Sequence, residues 1–253
     1  MTTLFDLNGK IALITGASTG IGQAIAEALA TAGASVAVAA RRTEKLQETV
    51  ERIRQTNGVA SAYTANLEDR ESLPNLIGEI ERSLGIPNII VNCAGVNLRQ
   101  PVDDISIESW DQTLNINLAV PFFLSRLLIG DMKKQGWGKI INIASLQSRR
   151  AFPDSMPYGA SKGGVEQLTR AMSEAWSKYG INCNAIAPGF FPTELTAPVF
   201  DNPDRKQWAA NQTTMGRNGK LEDLHGTAVF LASNASNYIT GQTLFVDGGF
   251  TAR

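Results

Sequence analysis

The stretch Ile11-Ala12-Leu13-Ile14-Thr15-Gly16-Ala17-Ser18-Thr19-Gly20-Ile21-Gly22 decides the fold. Ile11 to Thr15 is apolar enough for a buried strand, and the Ala-rich run Ile21 to Ala32 has the composition of a helix. Between them lies a turn containing Gly16, Gly20 and Gly22. A strand, a glycine-rich turn and a helix in that order aim backbone N–H groups and the positive end of a helix dipole at an anion such as a pyrophosphate. The spacing differs from the G-x-G-x-x-G fingerprint of dinucleotide folds, and a turn of this kind also serves tight helix–strand packing with no ligand.

Beyond this stretch the chain keeps alternating. Ser35 to Ala40, Ala60 to Ala65, Asn88 to Asn92, Ile140 to Ala144, Asn182 to Ala187 and Thr243 to Val246 read as further short strands. Helical patterns separate them: Thr43 caps a helix with Leu46, Val50 and Ile53 at i, i+4, i+7, and Leu73, Leu76, Ile77, Ile80 and Leu84 share one side of another. A longer helical region starts at Ser106 and ends near Gly136, with a bend expected at Pro121. Such alternation predicts an α/β fold built from βαβ units around a parallel sheet. No linker interrupts it. The section from about residue 190 to 218 breaks the pattern with Pro192, Pro198 and Pro203, as a substrate-covering lid would.

Composition narrows the function. The chain has 253 residues, 43% of them hydrophobic, and 23 Lys plus Arg against 24 Asp plus Glu, for a net charge of -1. That balance argues against nucleic acid as the main partner. Met1 to Lys10 lacks an apolar signal core and no uninterrupted apolar run approaches membrane-spanning length, so no membrane association is expected and a cytoplasmic location is. Cys93 and Cys183 both lie in apolar surroundings and are expected as buried, reduced thiols. His225 is the only histidine, which removes a His-rich metal site and leaves any Ser-His-Asp hydrolase dependent on one residue in an amphipathic helix start. No metal is expected.

Two features carry chemistry. The second strand runs out at Ala40-Arg41-Arg42, where dinucleotide folds place either an acid for the ribose 2′-hydroxyl of NAD or an arginine for the 2′-phosphate of NADP. NADP(H) is therefore expected over NAD(H), although solvated arginines leading into a helix would read the same way. Tyr158 and Lys162 follow Pro157 at an i, i+4 spacing. On a helix that spacing puts phenol and ammonium on one face, where a fixed positive charge favours the phenolate and makes a base of tyrosine.

Thr15 to Gly22, Asn92-Cys93-Ala94-Gly95, Asn117, Ser145, Tyr158 with Lys162, and Pro188-Gly189 occur in the order and with the approximate spacing of the short-chain dehydrogenase/reductase family, which the whole chain resembles. The resemblance implies one Rossmann-like, doubly wound domain spanning residues 1–253, a seven-stranded parallel sheet, and a homotetramer or dimer. The segments Ala94 to Arg99, Ile143 to Ser148, Pro188 to Leu195 and Val246 to Gly249 resemble the gluconate 5-dehydrogenase-like branch, whose substrates are sugar acids.

By that resemblance Tyr158 is the general acid/base, Lys162 holds the nicotinamide ribose hydroxyls, Ser145 hydrogen-bonds the substrate oxygen and Asn117 organises a water path. The cofactor would lie along Gly16, Ser18, Thr19, Gly20, Ile21, Gly22, Arg41, Arg42, Asn66, Leu67, Asn92, Ala94, Gly95, Pro188 and Gly189, with Phe191 and Thr193 at the nicotinamide carboxamide. Asn66 stands where the family commonly carries an Asp that contacts adenine. Arg99, Gln147, Arg149 and Arg150 are candidate substrate residues, with the arginines suited to an anionic group.

The implied activity is an NADP-dependent oxidoreductase interconverting a secondary alcohol and a ketone on a sugar acid, sugar or related polyol. A 3-oxoacyl-carrier-protein reductase or other carbonyl reductase is the alternative enzyme, and an NADP-sensing binding protein the alternative without catalysis.

Overall fold

The computed structural model describes residues 4–253; Met1, Thr2 and Thr3 of the expected 1–253 span lie outside them. Seven parallel strands form one sheet: β1 Ile11–Thr15, β2 Ser35–Ala40, β3 Val59–Thr64, β4 Ile89–Asn92, β5 Gly138–Ile143, β6 Ile181–Pro188 and β7 Thr243–Val246. Their order is β3-β2-β1-β4-β5-β6-β7. Chain direction across the sheet reverses between β1 and β4, and the crevice above the carboxyl ends of those strands is where open α/β sheets take ligands.

Alternation along β1 explains the two layers. Ala12 and Ile14 face one side, packing with Ile25 and Leu29 of α1 (Gly20–Thr31), Leu46 and Ile53 of α2 (Thr43–Gln55), and a later helix bearing Leu231. Leu13 faces the other, with Leu76 and Ile80 of α3 (Leu73–Ser83) and residues of the long central helices. Each such Leu or Ile withdraws enough apolar area to contribute about 1.5–3 kcal/mol. Strands buried on both faces read as near-continuous apolar runs, which is what this sequence shows.

The remaining helices are α4 Ile107–Leu114, α5 Val120–Gln135, α6 Met156–Trp176, α7 Ala197–Phe200, α8 Pro203–Asn211 and α9 His225–Ala232. One local expectation is corrected. Arg42, not Thr43, occupies the cap position of α2. Directly before Pro121, α4 and α5 are joined by a π-helical turn, Asn115–Ala119. The continuous helical stretch Ile107–Gln135, 29 residues, is long and apolar enough to pass for a membrane span, but half of its most apolar window is buried inside the molecule.

Candidate active site

A cavity of about 1000 Å³ opens above the carboxyl ends of β1, β4 and β5. Its floor begins at the glycine turn. Gly16 adopts φ +66°, and a Cβ there would stand 2.8 Å from the Ala94 backbone. Gly22 is confined differently, since its Cβ would lie 2.4 Å from the Gly16 carbonyl oxygen. Both glycines therefore let helix α1 start hard against the sheet, with its N–H groups facing the cleft. Thr15 ties the turn to β4, its hydroxyl accepting from the N–H groups of Cys93 and Ala94 at 3.0 and 3.1 Å.

Helix α6 delivers the acid/base pair. Pro157 sits in its first turn, where a missing N–H costs nothing, and Tyr158 and Lys162 follow on one face, the ammonium 5.6 Å from the phenol ring centroid. Both side chains are buried. Lys162 Nζ donates to the Ile143 carbonyl at the end of β5 at 2.6 Å, and burial pushes its pKa down to about 8. Burial pushes Tyr158 up, opposed by a hydrogen bond from Ser145 and by the charge of Arg99. Arg99 thus adds a positive charge that favours the phenolate, a residue to which sequence reasoning gave no such role.

Ser145 begins a short turn after β5, where its Oγ accepts from the Gln147 N–H at 3.1 Å. Asn117 lies in the π-helical turn. Its Oδ1 accepts from Val96 N at 2.8 Å, and its Nδ2 donates to the Val96 carbonyl at 2.9 Å and to Ser161 Oγ at 3.0 Å. Pro121, four residues on, has no N–H to offer the Asn117 carbonyl in an α-helical pattern. Gly95 faces this group: a Cβ there would meet Asn117 Oδ1 at 3.1 Å and Lys162 Nζ at 3.8 Å.

Gly16, Ser18, Thr19, Ile21, Gly22, Arg41, Arg42, Asn66, Leu67, Ala94, Gly95, Pro188, Gly189, Phe191 and Thr193 all line the cavity, as do Ser145, Gln147, Arg99, Tyr158 and Lys162. Gly20 backs the loop, with Thr193 Cγ2 3.0 Å from where its Cβ would be. The space left bare by Gly95, bordered by Lys162, and the N–H groups of the glycine turn fit a dinucleotide with its nicotinamide end beside Tyr158.

Three expectations are displaced. Asn92 is buried in the core, its Nδ2 donating to Asn142 Oδ1 at 2.8 Å and Ser125 Oγ at 3.1 Å; as the last residue of β4 it points to the α5 side, and Cys93 and Ala94 reach the cleft instead. Arg149 turns back onto α6, its Nη2 2.6 Å and its Nε 3.1 Å from Glu166 Oε1. Arg150 donates to the main-chain oxygen of Arg253 at 2.8 Å. The short turn Leu146–Ser148 reverses the chain before either arginine, so neither lines this cavity.

Arg99 does line it. This residue has φ +45°, and its Nε is buried without a partner. Sequence reasoning missed Cys93, half-buried in the wall with its thiol pushed up to about 12, and the aromatic wall of Phe152, Phe190 and Trp208. Phe190 stands 6.0 Å from both Phe152 and Trp208 between ring centroids, and Phe250 packs behind all three. The doubled Phe190-Phe191 after Pro188-Gly189 was the available signal for the wall. Both cysteines are free, and no group of three or more His, Cys, Asp or Glu gathers as a metal site among the described residues.

The family model described as Enoyl-(Acyl carrier protein) reductase matches residues 16–251. The chain belongs to the short-chain dehydrogenase/reductase family. It is 41% identical over 249 residues to the 2-dehydro-3-deoxy-D-gluconate 5-dehydrogenase of Bacillus subtilis (strain 168), covering 98% of this chain and 97% of that one. To the gluconate 5-dehydrogenase of Gluconobacter oxydans (strain 621H) it is 38% identical over 248 residues, 98% and 97% of the two chains. The crystal structure of a gluconate 5-dehydrogenase from Burkholderia cenocepacia J2315 in complex with NADP and tartrate superposes with a TM-score of 0.94 at 39% identity, covering 99% of this chain and 98% of that one. In this short-chain dehydrogenase/reductase the seven-stranded parallel sheet and flanking helices are those of its structural relatives.

Proposed function

We propose that this protein is an NADP-dependent oxidoreductase that interconverts a secondary alcohol and a ketone on a sugar acid. The observation that carries the reading is the convergence of Tyr158, Ser145, Lys162 and an unpartnered Arg99 on one cavity that also receives the glycine turn. Bound NADP would supply the hydride acceptor or donor. Gly16 to Gly22 would hold its pyrophosphate, Arg41 and Arg42 its 2′-phosphate, Asn66 and Leu67 its adenine, and Lys162 the nicotinamide ribose.

The chain's own residues manage the proton. Tyr158 takes the hydroxyl proton in oxidation and returns it in reduction, while the Ser145 hydroxyl hydrogen-bonds the same oxygen. An unperturbed phenol, near pKa 10, is protonated at neutral pH and burial keeps this one so; Arg99 and the positive charge of the oxidised nicotinamide oppose that. Arg99 would take the substrate carboxylate, since a buried guanidinium nitrogen without a partner is costly until an anion meets it. Asn117, whose carbonyl receives no α-helical N–H from Pro121, would hold the water that resupplies protons through Lys162.

Turnover of D-gluconate and its keto forms with NADP, followed at the nicotinamide absorbance, tests the reading, with acyl thioesters as the competing substrates. Tyr158→Phe should lose nearly all turnover and keep cofactor affinity; normal turnover in that variant would remove Tyr158 from the chemistry. In the same reading the protein is a cytoplasmic homotetramer. The edge strand β7, half-buried along its length, and the exposed Ile107 and Leu127 support an assembly that covers them, which light scattering in solution would measure.

A further inference from the structure

One carboxylate in the cleft has no part in the proton transfer. Glu194 follows Thr193 where the chain leaves β6, and its two oxygens accept from Nη1 and Nη2 of Arg42, each at 2.9 Å. The same Nη2 donates to Ser18 Oγ at 3.2 Å and Thr19 Oγ1 at 3.1 Å. All four residues line the cavity at its glycine-turn end. Arg42 is the main reason the Glu194 carboxyl is held below its ordinary value, with Thr19 and Lys45 assisting. The guanidinium fork is thus closed on a carboxylate in the bidentate geometry that arginine uses for phosphate.

We propose that Glu194 is a specificity-determining residue, an internal competitor that the 2′-phosphate of the cofactor must displace from Arg42. The inference rests on the NADP reading above. A cofactor without a 2′-phosphate leaves the Arg42–Glu194 pair in place; one that carries it must open the pair and then tolerate a carboxylate beside it. Binding to a form that is open only part of the time weakens the apparent affinity by that fraction. The side chains of Arg42 and Glu194 are 47% and 61% exposed, and pairs of this kind favour the closed form by only roughly 1.4- to 5-fold. Repulsion between carboxylate and phosphate adds to that.

Adenosine 2′,5′-bisphosphate and 5′-AMP, titrated calorimetrically into the full chain, isolate the adenosine end and its phosphate. Glu194→Gln and Glu194→Ala should bind the bisphosphate roughly three- to tenfold more tightly than the parent while 5′-AMP changes less than twofold. In an Arg42→Ala background only the repulsion is left to remove, so the gain should shrink. If Glu194→Gln and Glu194→Ala leave bisphosphate affinity unchanged or lower, Glu194 is no competitor. Arg42→Ala reports on the NADP reading separately: it should weaken the bisphosphate alone, and if it spares both ligands, the phosphate assignment and the competition fail together.

Discussion

Replacing Arg99 by Gln removes a cation that the structure leaves without a partner at Nε and that acts on Tyr158. Two effects should separate. The first concerns the substrate: a hydrogen bond to a charged group contributes about 1.5–3 kcal/mol, so losing a carboxylate contact worth about 2 kcal/mol lowers kcat/KM for an aldonate about 30-fold. A neutral polyol of similar length has no carboxylate to lose and should keep its plateau kcat/KM within about threefold. The second concerns the proton. Arg99 favours the Tyr158 phenolate, so its removal raises that pKa further and moves the acidic limb of the oxidation profile to higher pH for both substrates. Steady-state kinetics across pH, with aldonate and polyol in parallel, reads both. An equal plateau loss on the two substrates, with the limb unmoved, would refute the reasoning.

Gly22→Ala should lower the melting temperature, equivalent to about 1–3 kcal/mol, and weaken cofactor binding, because its Cβ lands 2.4 Å from the Gly16 carbonyl oxygen. Gly78→Ala, in α3 with nothing within 4 Å of the added carbon, should instead stabilise by about 0.5–1 kcal/mol, as thermal unfolding would report. Phe250→Ala takes the support from Phe152, Phe190 and Trp208, so KM for the sugar acid should rise several-fold while the cofactor Kd measured by calorimetry stays put. Burial pushes Lys139 and Lys162 both down to about 8, below the value of about 10.4 for an unfolded lysine. The unfolded chain then binds more protons from pH 8 upward, so stability rises with pH there and is lost as pH falls through 8. Both thiols, pushed up to about 12, oppose this from about pH 8.5, where an unfolded cysteine titrates, so Lys139→Met should flatten or reverse the slope between about pH 8 and 9 in denaturant titrations.

The frame was legible because buried parallel strands are short, apolar and bounded by turns: β1, β2 and β7 fall at the residues expected from their sequences. Tyr158 and Lys162 were legible because helical spacing fixes which side chains share a face. Linear proximity misled elsewhere. Arg149 and Arg150 follow Ser145 closely, yet one turn of chain sends them to Glu166 and Arg253. Asn92 precedes two residues of the cleft wall, but strand alternation turns it into the core. Glu194, Phe190 and Trp208 lie in a segment without periodicity, where pattern carries no information about contact.

The π-helical turn at Asn115–Ala119 has a consequence of its own. Such a turn is what a helix becomes when it accommodates one residue too many. Deleting a single residue upstream of Asn117 would let α4 run regularly into α5 and rotate the positions before the deletion against those after it by about 100°. The Val96 and Ser161 contacts of Asn117 could not survive that rotation. An insertion or deletion of one codon, leaving Ser145, Tyr158 and Lys162 unaltered, would therefore create or remove the proposed proton path, and the history of this helix in its relatives should be legible in length rather than in substitution.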